Sequence, residues 1–242
     1  MKIKTKHVSY EYTKGIETPK RKRLKKPCAL FKLLIRILSI FELSSTKFTY
    51  TQERMDKVGK EPCLILMNHS SFIDLKIASK VFFNRPYHIV STMDGFVGQH
   101  WLMRQIGCIP TRKFVSDVAL MRDIHRALHD IKTSVLLFPE AGYSLDGKTT
   151  VLPKNLGGFV KKLGVPVISV ITDGAFLHQP LYNNLRMRKN RVTAHVQCLL
   201  TKEEAAEKSA EQIDEMLEDL FSFDNFKNQD RKSTRLNSSH VT

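Results

Sequence analysis

From Pro62 to Phe221 the chain alternates short apolar runs with segments of helical period, and this alternation restricts the fold more than any other feature. The runs Cys63–Met67, Ile89–Ser91, Ser134–Phe138, Pro166–Ile171 and Val192–Leu200 are too short for buried helices and read as strands. Between them Phe72–Phe82, Gly98–Ile106, Asp117–Ile131 and Leu156–Leu163 carry helical spacing, and Lys202–Phe221 follows the last strand as an acidic amphipathic helix. Strands separated by helices pair through crossovers, so the expectation is an α/β fold: one mixed or parallel sheet flanked by helices. At 42% hydrophobic residues the chain has the apolar material for such a core.

Ahead of the alternation lies a different kind of sequence. The segment 1–27 holds eight Lys and two Arg against Glu11 and Glu17, a net +8 of the chain's +15. The residues 230–242 add +2, which leaves 15 − 8 − 2 = +5 for the body. Charge gathered at one end calls for an anionic surface, either phospholipid or nucleic acid. Beside KRKRLKK no nucleic-acid-binding motif is found, so no nucleic acid is expected as partner. Next comes ALFKLLIRILSIFELSS, in which Leu30, Leu33, Leu34, Ile37, Leu38 and Phe41 recur at helical spacing with Lys32 and Arg36 off the stripe. This basic amphipathic helical arm can lie in a headgroup layer or dock its apolar face on its own domain. Ala29–Phe41 is too short and too charged to span a bilayer, so the expected location is peripheral, on the cytoplasmic side of the cell membrane. Cys28, Cys63, Cys108 and Cys198 form no C-x-x-C pair and read as free thiols. The tail DRKSTRLNSSH corresponds to one reading frame of a sequencing-adapter oligonucleotide and is left out of the fold. The expected division is therefore 1–44 arm, 45–229 α/β domain and 230–242 non-native tail.

Chemistry-bearing residues gather where strands end, the place open α/β sheets put their sites. In LILMNHSSFID a strand runs into Asn68–His69, and Asp74 falls in the next helical turn. A neutral imidazole there can take a proton from a hydroxyl while a carboxylate holds its other nitrogen. Ser71-x-x-Asp74 fits a capping box equally well, with His69 a bystander. In FPEAGYS a strand ends at Pro139–Glu140, and the small residues Ala141 and Gly142 expose backbone N–H groups that can hold a phosphate or an oxyanion. Glu140 can orient substrate or tie down the loop. Arg112 and Lys113 in GCIPTRKF, and Lys148 and Lys154 further on, are cations that can pair with a phosphate. Trp101 and Met103 fit either an acyl pocket or core packing. His125 and His129 stand four apart on a helix without a third ligand nearby, so no metal is expected.

Taken in order, NHSSFID, GCIPTRK, FPEAGYS and VPVISV resemble the segments of the glycerolipid acyltransferase family, whose pattern runs N-H-x-x-x-x-D, a G-x-x-x-x-x-R type segment, F-P-E-G-T-R-S and a V-P-V strand. The resemblance covers about Leu64–Ile171. It implies His69 as general base, Asp74 as its partner, Lys113 near the phosphate-binding position and Glu140 as the Glu of the third segment. The implied reaction passes a fatty acyl group from acyl-CoA or acyl carrier protein to a lysophospholipid hydroxyl, without cofactor. Where the family carries G-T-R, this chain has Ala141, Gly142 and Tyr143, so the Arg that holds an acceptor phosphate is replaced by a phenol. Another lipid acceptor, or a silent lipid-binding member, is the alternative.

Overall fold

The computed structural model describes residues 22–92, 99–111, 118–180, 186–222 and 224. Helix α1 (Ala29–Ser45) is followed by strand β1 (Thr49–Glu53), a 3-10 turn, β2 (Leu64–Met67), α2 (Asp74–Val81), β3 (Tyr87–Thr92), α3 (His100–Ile106) and β4 (Cys108–Thr111). Then come α4 (Val118–His125), β5 (Ser134–Leu137), α5 (Leu156–Leu163), β6 (Val167–Asp173), the short α6 (Ala175–His178), β7 (Thr193–Leu200), α7 (Lys202–Glu207) and α8 (Ala210–Phe221). The seven strands form one sheet in the order β1-β7-β6-β2-β5-β3-β4. β6 and β7 pair antiparallel and the other neighbours parallel, so the sheet is mixed.

Strand period divides the core into two layers. Ile65 and Met67 of β2 face a cluster with Ile73, Ile77 and Ala78 of the α2 region. Leu64 and Leu66 face Ile124, Val160, Ile213 and Leu217 on the other side. β2 is buried at every position, as a central strand covered on both faces must be. Two strands exceed the expectation. β1, TYTQE, is exposed along its whole length at the sheet edge, and no apolar alternation marks it. β4, CIPT, carries Pro110 and sits at the other edge, where a missing N–H is tolerated. The C-terminal helix breaks in two, because Ser209 caps α8 through Gln212 just as Thr201 caps α7 through Glu204, and each is a reciprocal capping box. Gly157 lets α5 and α8 meet, since a Cβ there would stand 2.0 Å from the Ala210 carbonyl oxygen.

α1 does not dock by its apolar stripe. Its buried residues are Ser39, Glu42 and Leu43. Ser39 Oγ lies 3.3 Å from Ser79 Oγ, Lys32 Nζ donates to the Arg85 carbonyl at 2.7 Å, and the Glu42 carboxylate pairs with Lys76 and faces His178 Nε2 at 3.6 Å. The stripe Leu30, Leu33, Leu34, Ile37, Leu38 and Phe41 points outward, with Leu38 71% and Phe41 80% exposed. Trp101 joins this surface instead of the core, 66% exposed and edge-on to Phe31 at 5.4 Å. Met103 packs against the core. No helix among the described residues is long and apolar enough to cross a membrane.

Candidate active site

The end of β2 is cross-linked to β6 before the site begins. Asn68 is buried; its Oδ1 accepts from the Thr172 N–H (2.8 Å) and hydroxyl (3.0 Å), and its Nδ2 donates to the Thr172 carbonyl at 3.1 Å. The backbone turns there, and the turn carries His69 back toward the first residue of α2. His69 Nδ1 lies 3.0 Å from Asp74 Oδ2. The same oxygen accepts the Ser70 N–H at 2.7 Å and the Ser71 N–H at 3.0 Å, while Asp74 is fully buried. The two uses weighed from the sequence therefore coincide in one carboxylate. It satisfies backbone donors at the start of α2 and also holds the imidazole. Ser71 Oγ does not complete a reciprocal box, because it donates to the Ala175 carbonyl.

A carboxylate oxygen surrounded by donors accepts only, so Nδ1 donates, and in the neutral imidazole Nε2 is then the nitrogen with the lone pair. Nε2 has no partner among the described residues, and the His69 side chain keeps 17% of its surface open. The ring lies with its centroid 3.8 Å from Phe138 and 3.8 Å from Tyr143. Two near-parallel rings cannot share one face at that separation, so the imidazole is sandwiched between them. Tyr143 also meets Phe72 at 5.2 Å.

The loop after β5 grips the backbone of His69 as well as its ring. Glu140 Oε1 accepts the His69 N–H at 3.1 Å and Oε2 accepts the Thr150 N–H at 3.4 Å. The Ser144 N–H donates to the His69 carbonyl at 2.8 Å. Of the two uses open to Glu140, its hydrogen bonds serve the second, fixing the loop to His69. Burial pushes its carboxyl up to about 7, against the two N–H donors that favour the ionised form. Burial also raises the Tyr143 phenol, to about 12, with the Asp74 charge adding to the shift.

Ala141 turns the loop with φ 52°, a left-handed conformation costly for a residue with a Cβ. Its N–H is used by the Phe138 carbonyl at 3.1 Å, whereas the Gly142 N–H has no partner among the described residues. Ala141→Gly is expected to raise stability by about 1 kcal/mol, read as the urea midpoint; a lower midpoint would show that the methyl group contributes packing that outweighs the backbone cost.

The remaining sequence candidates part company here. Arg112 and Lys113 lie outside the described residues. Lys154 is exposed just before α5, and Lys148 pairs with Asp224 at 3.8 Å. His129 Nε2 donates to the Leu163 carbonyl at 2.9 Å, and its ring stands 4.3 Å from that of His125. Among the described residues no group of three Cys, His, Asp or Glu gathers that could hold a metal ion. Asn68, Phe138, Ser144 and Thr150 are parts of the site that sequence reasoning missed. Phe138 and Ser144 had a signal, since both lie within or beside FPEAGYS.

A family model described as Acyltransferase matches residues 47–173. No curated protein sequence matches the chain. Among solved structures it is similar to the crystal structure of the 1-acyl-sn-glycerophosphate (LPA) acyltransferase PlsC from Thermotoga maritima, with a TM-score of 0.63 at 17% identity, over 83% of this chain and 79% of that one.

Proposed function

The chain belongs to the acyltransferase family, and from that premise we propose that it transfers a fatty acyl group from the thioester of coenzyme A or acyl carrier protein to the hydroxyl of a lysophospholipid, 1-acylglycerol-3-phosphate being the first candidate and phosphatidate its product. The observation that carries the reading is the His69–Asp74 pair, with Nδ1 committed to a buried carboxylate and Nε2 without a partner among the described residues. Nε2 takes the proton of the acceptor hydroxyl as its oxygen attacks the thioester carbonyl. The C–O bond forms, the C–S bond breaks, and the proton passes from His69 to the departing thiolate. Asp74 stabilises the imidazolium between the two transfers. The Gly142 N–H, without a partner among the described residues, is the donor we assign to the oxyanion. No cofactor enters this scheme.

We place the reaction at a membrane surface, on the cytoplasmic side and peripherally, because α1 turns its apolar stripe outward and is held by its polar side. The anionic membrane, the lysolipid and the acyl thioester are its partners, and nucleic acid is not. The test is free-thiol release from acyl-CoA or acyl carrier protein, offered with lysophosphatidate and a panel of other lysolipids. Release that depends on an acceptor supports the reading; release without one, or none from folded protein, overturns it.

One observation favours a second acceptor. Tyr143 occupies the position of the resembled family's Arg, and its ring is spent on His69 and Phe72. A phenol cannot reproduce a bidentate pair with a phosphate. An acceptor without a terminal phosphate monoester is therefore the second reading. Tyr143→Arg is expected to shift kcat/KM toward lysophosphatidate, relative to a lysolipid with an esterified phosphate, by about 10- to 100-fold. An unchanged ratio places the phosphate contact elsewhere.

A further inference from the structure

At the far end of α2 from Asp74, roughly 9 Å along the helix axis, a cleft of about 620 Å³ opens between α1, β1 and the segments that enter β2 and β3. Four cations line it, Arg36, Lys60, Lys80 and Arg85, and among the described residues no Asp or Glu does. The Arg36 guanidinium carbon stands over Phe83, 3.6 Å from the ring centroid, a stacking distance that holds the group at the cleft. Arg85 is engaged with the Glu61 and Gly59 carbonyls and so builds the wall. Arg36, Lys60 and Lys80 have no carboxylate partner among the described residues, although Asp56 and Glu61 stand nearby in sequence. Three uncompensated charges around one concavity of ligand size mark a place for a phosphate.

We propose that this cleft is a second binding site, separate from the acyl-transfer centre, for the phosphate of an anionic membrane lipid that is not itself being acylated. A lipid is favoured over a soluble phosphate by what adjoins the cleft. A smaller hollow of about 190 Å³ shares Arg36 and Lys80 with it and continues along α1 past Ile40. Ile40 is 51% exposed and borders the outward stripe of the same helix. A headgroup seated between Arg36 and Lys80 therefore has apolar surface beside it on which acyl chains can lie. The site orients the protein on the bilayer from the flank of α1, and it rests on the peripheral-membrane reading.

The experiment uses the full chain, wild type and Lys60→Gln/Lys80→Gln, with Lys162→Gln/Lys202→Gln as a charge-matched control pair outside the cleft. Cosedimentation is measured with phosphatidylcholine vesicles and with the same vesicles carrying phosphatidylglycerol. The cleft variant is expected to bind the anionic vesicles about tenfold more weakly than the wild type, with binding to neutral vesicles and turnover of a short-chain soluble acceptor unchanged. Anionic vesicles are also expected to protect Lys60 and Lys80 from amine acetylation, read by mass spectrometry, while Lys162 and Lys202 stay reactive. Equal losses in the cleft and control pairs, or no protection while the wild type still binds, overturn the site and leave the membrane reading standing. Wild-type protein that binds no vesicle overturns both. Glycerol 3-phosphate that protects the two lysines in solution, where vesicles do not, reassigns the cleft to a soluble phosphate and overturns the lipid.

Discussion

Replacing His69 by alanine is expected to lower kcat by about 10³- to 10⁴-fold, and Asp74→Asn by about 10²- to 10³-fold, in folded protein. The second figure follows from where the donors converge. Nδ1 of His69 and the N–H groups of Ser70 and Ser71 all meet Oδ2, and Asp74 Oδ1 is buried without a partner among the described residues. An asparagine must turn its oxygen to those three donors and its NH₂ to the empty side. The tautomer and position of the imidazole are then preserved, and only the negative charge is lost. On the proposed mechanism Asp74→Asn thus isolates the contribution from stabilising the imidazolium, with a modest stability loss for the unpaired amide. On the proposed mechanism both residues act on one proton, so the double variant should be no slower than His69→Ala alone. Initial rates of thiol release, normalised to folded protein by circular dichroism, decide it. A double variant slower by the product of the single effects would mean that Asp74 serves the reaction by another route.

The sequence announced the sheet through its buried strands and hid its edges. LILM, SVLL and VISVITD read as strands because both faces of each strand are covered, which leaves continuous apolar runs. TYTQE has neither face buried, so no apolar alternation marks it, and the strand preference of its Thr and Tyr residues is the one signal it carries. The site followed the same rule. His69 and Asp74 are five residues apart, and a local turn suffices to join them. Glu140 reaches the His69 N–H across 71 residues, and Phe138 and Tyr143 reach its ring across similar distances. Such contacts leave no local period, so only the order of the four segments hinted that the third belonged with the first. The stripe of α1 shows a third limit. Its period revealed an apolar face, yet an outward and an inward face have the same period. The direction was set by Ser39 and Glu42, polar residues that pair beneath the helix.

That direction makes α1 separable from the rest of the molecule by substitution. Leu38→Glu/Phe41→Glu is expected to weaken vesicle binding by about 10²- to 10³-fold while leaving the thermal midpoint of the soluble protein in place. Both side chains are already mostly in water, so changing them removes little from the folded core. On a bilayer they are the most protruding members of the stripe, and burying a Leu or Phe side chain contributes about 1.5–3 kcal/mol. Partial insertion of two, with two carboxylates now facing anionic headgroups, accounts for about 3–4 kcal/mol, which is the stated range. The kinetic consequence is specific. Turnover of an acceptor embedded in vesicles should fall through its apparent KM, whereas a short-chain acceptor in solution should be used as before, because His69 and Asp74 are gripped by β2, α2 and the loop after β5 rather than by the stripe. If the embedded acceptor is used as well by the variant as by the wild type, the outward face of α1 is not what meets the membrane.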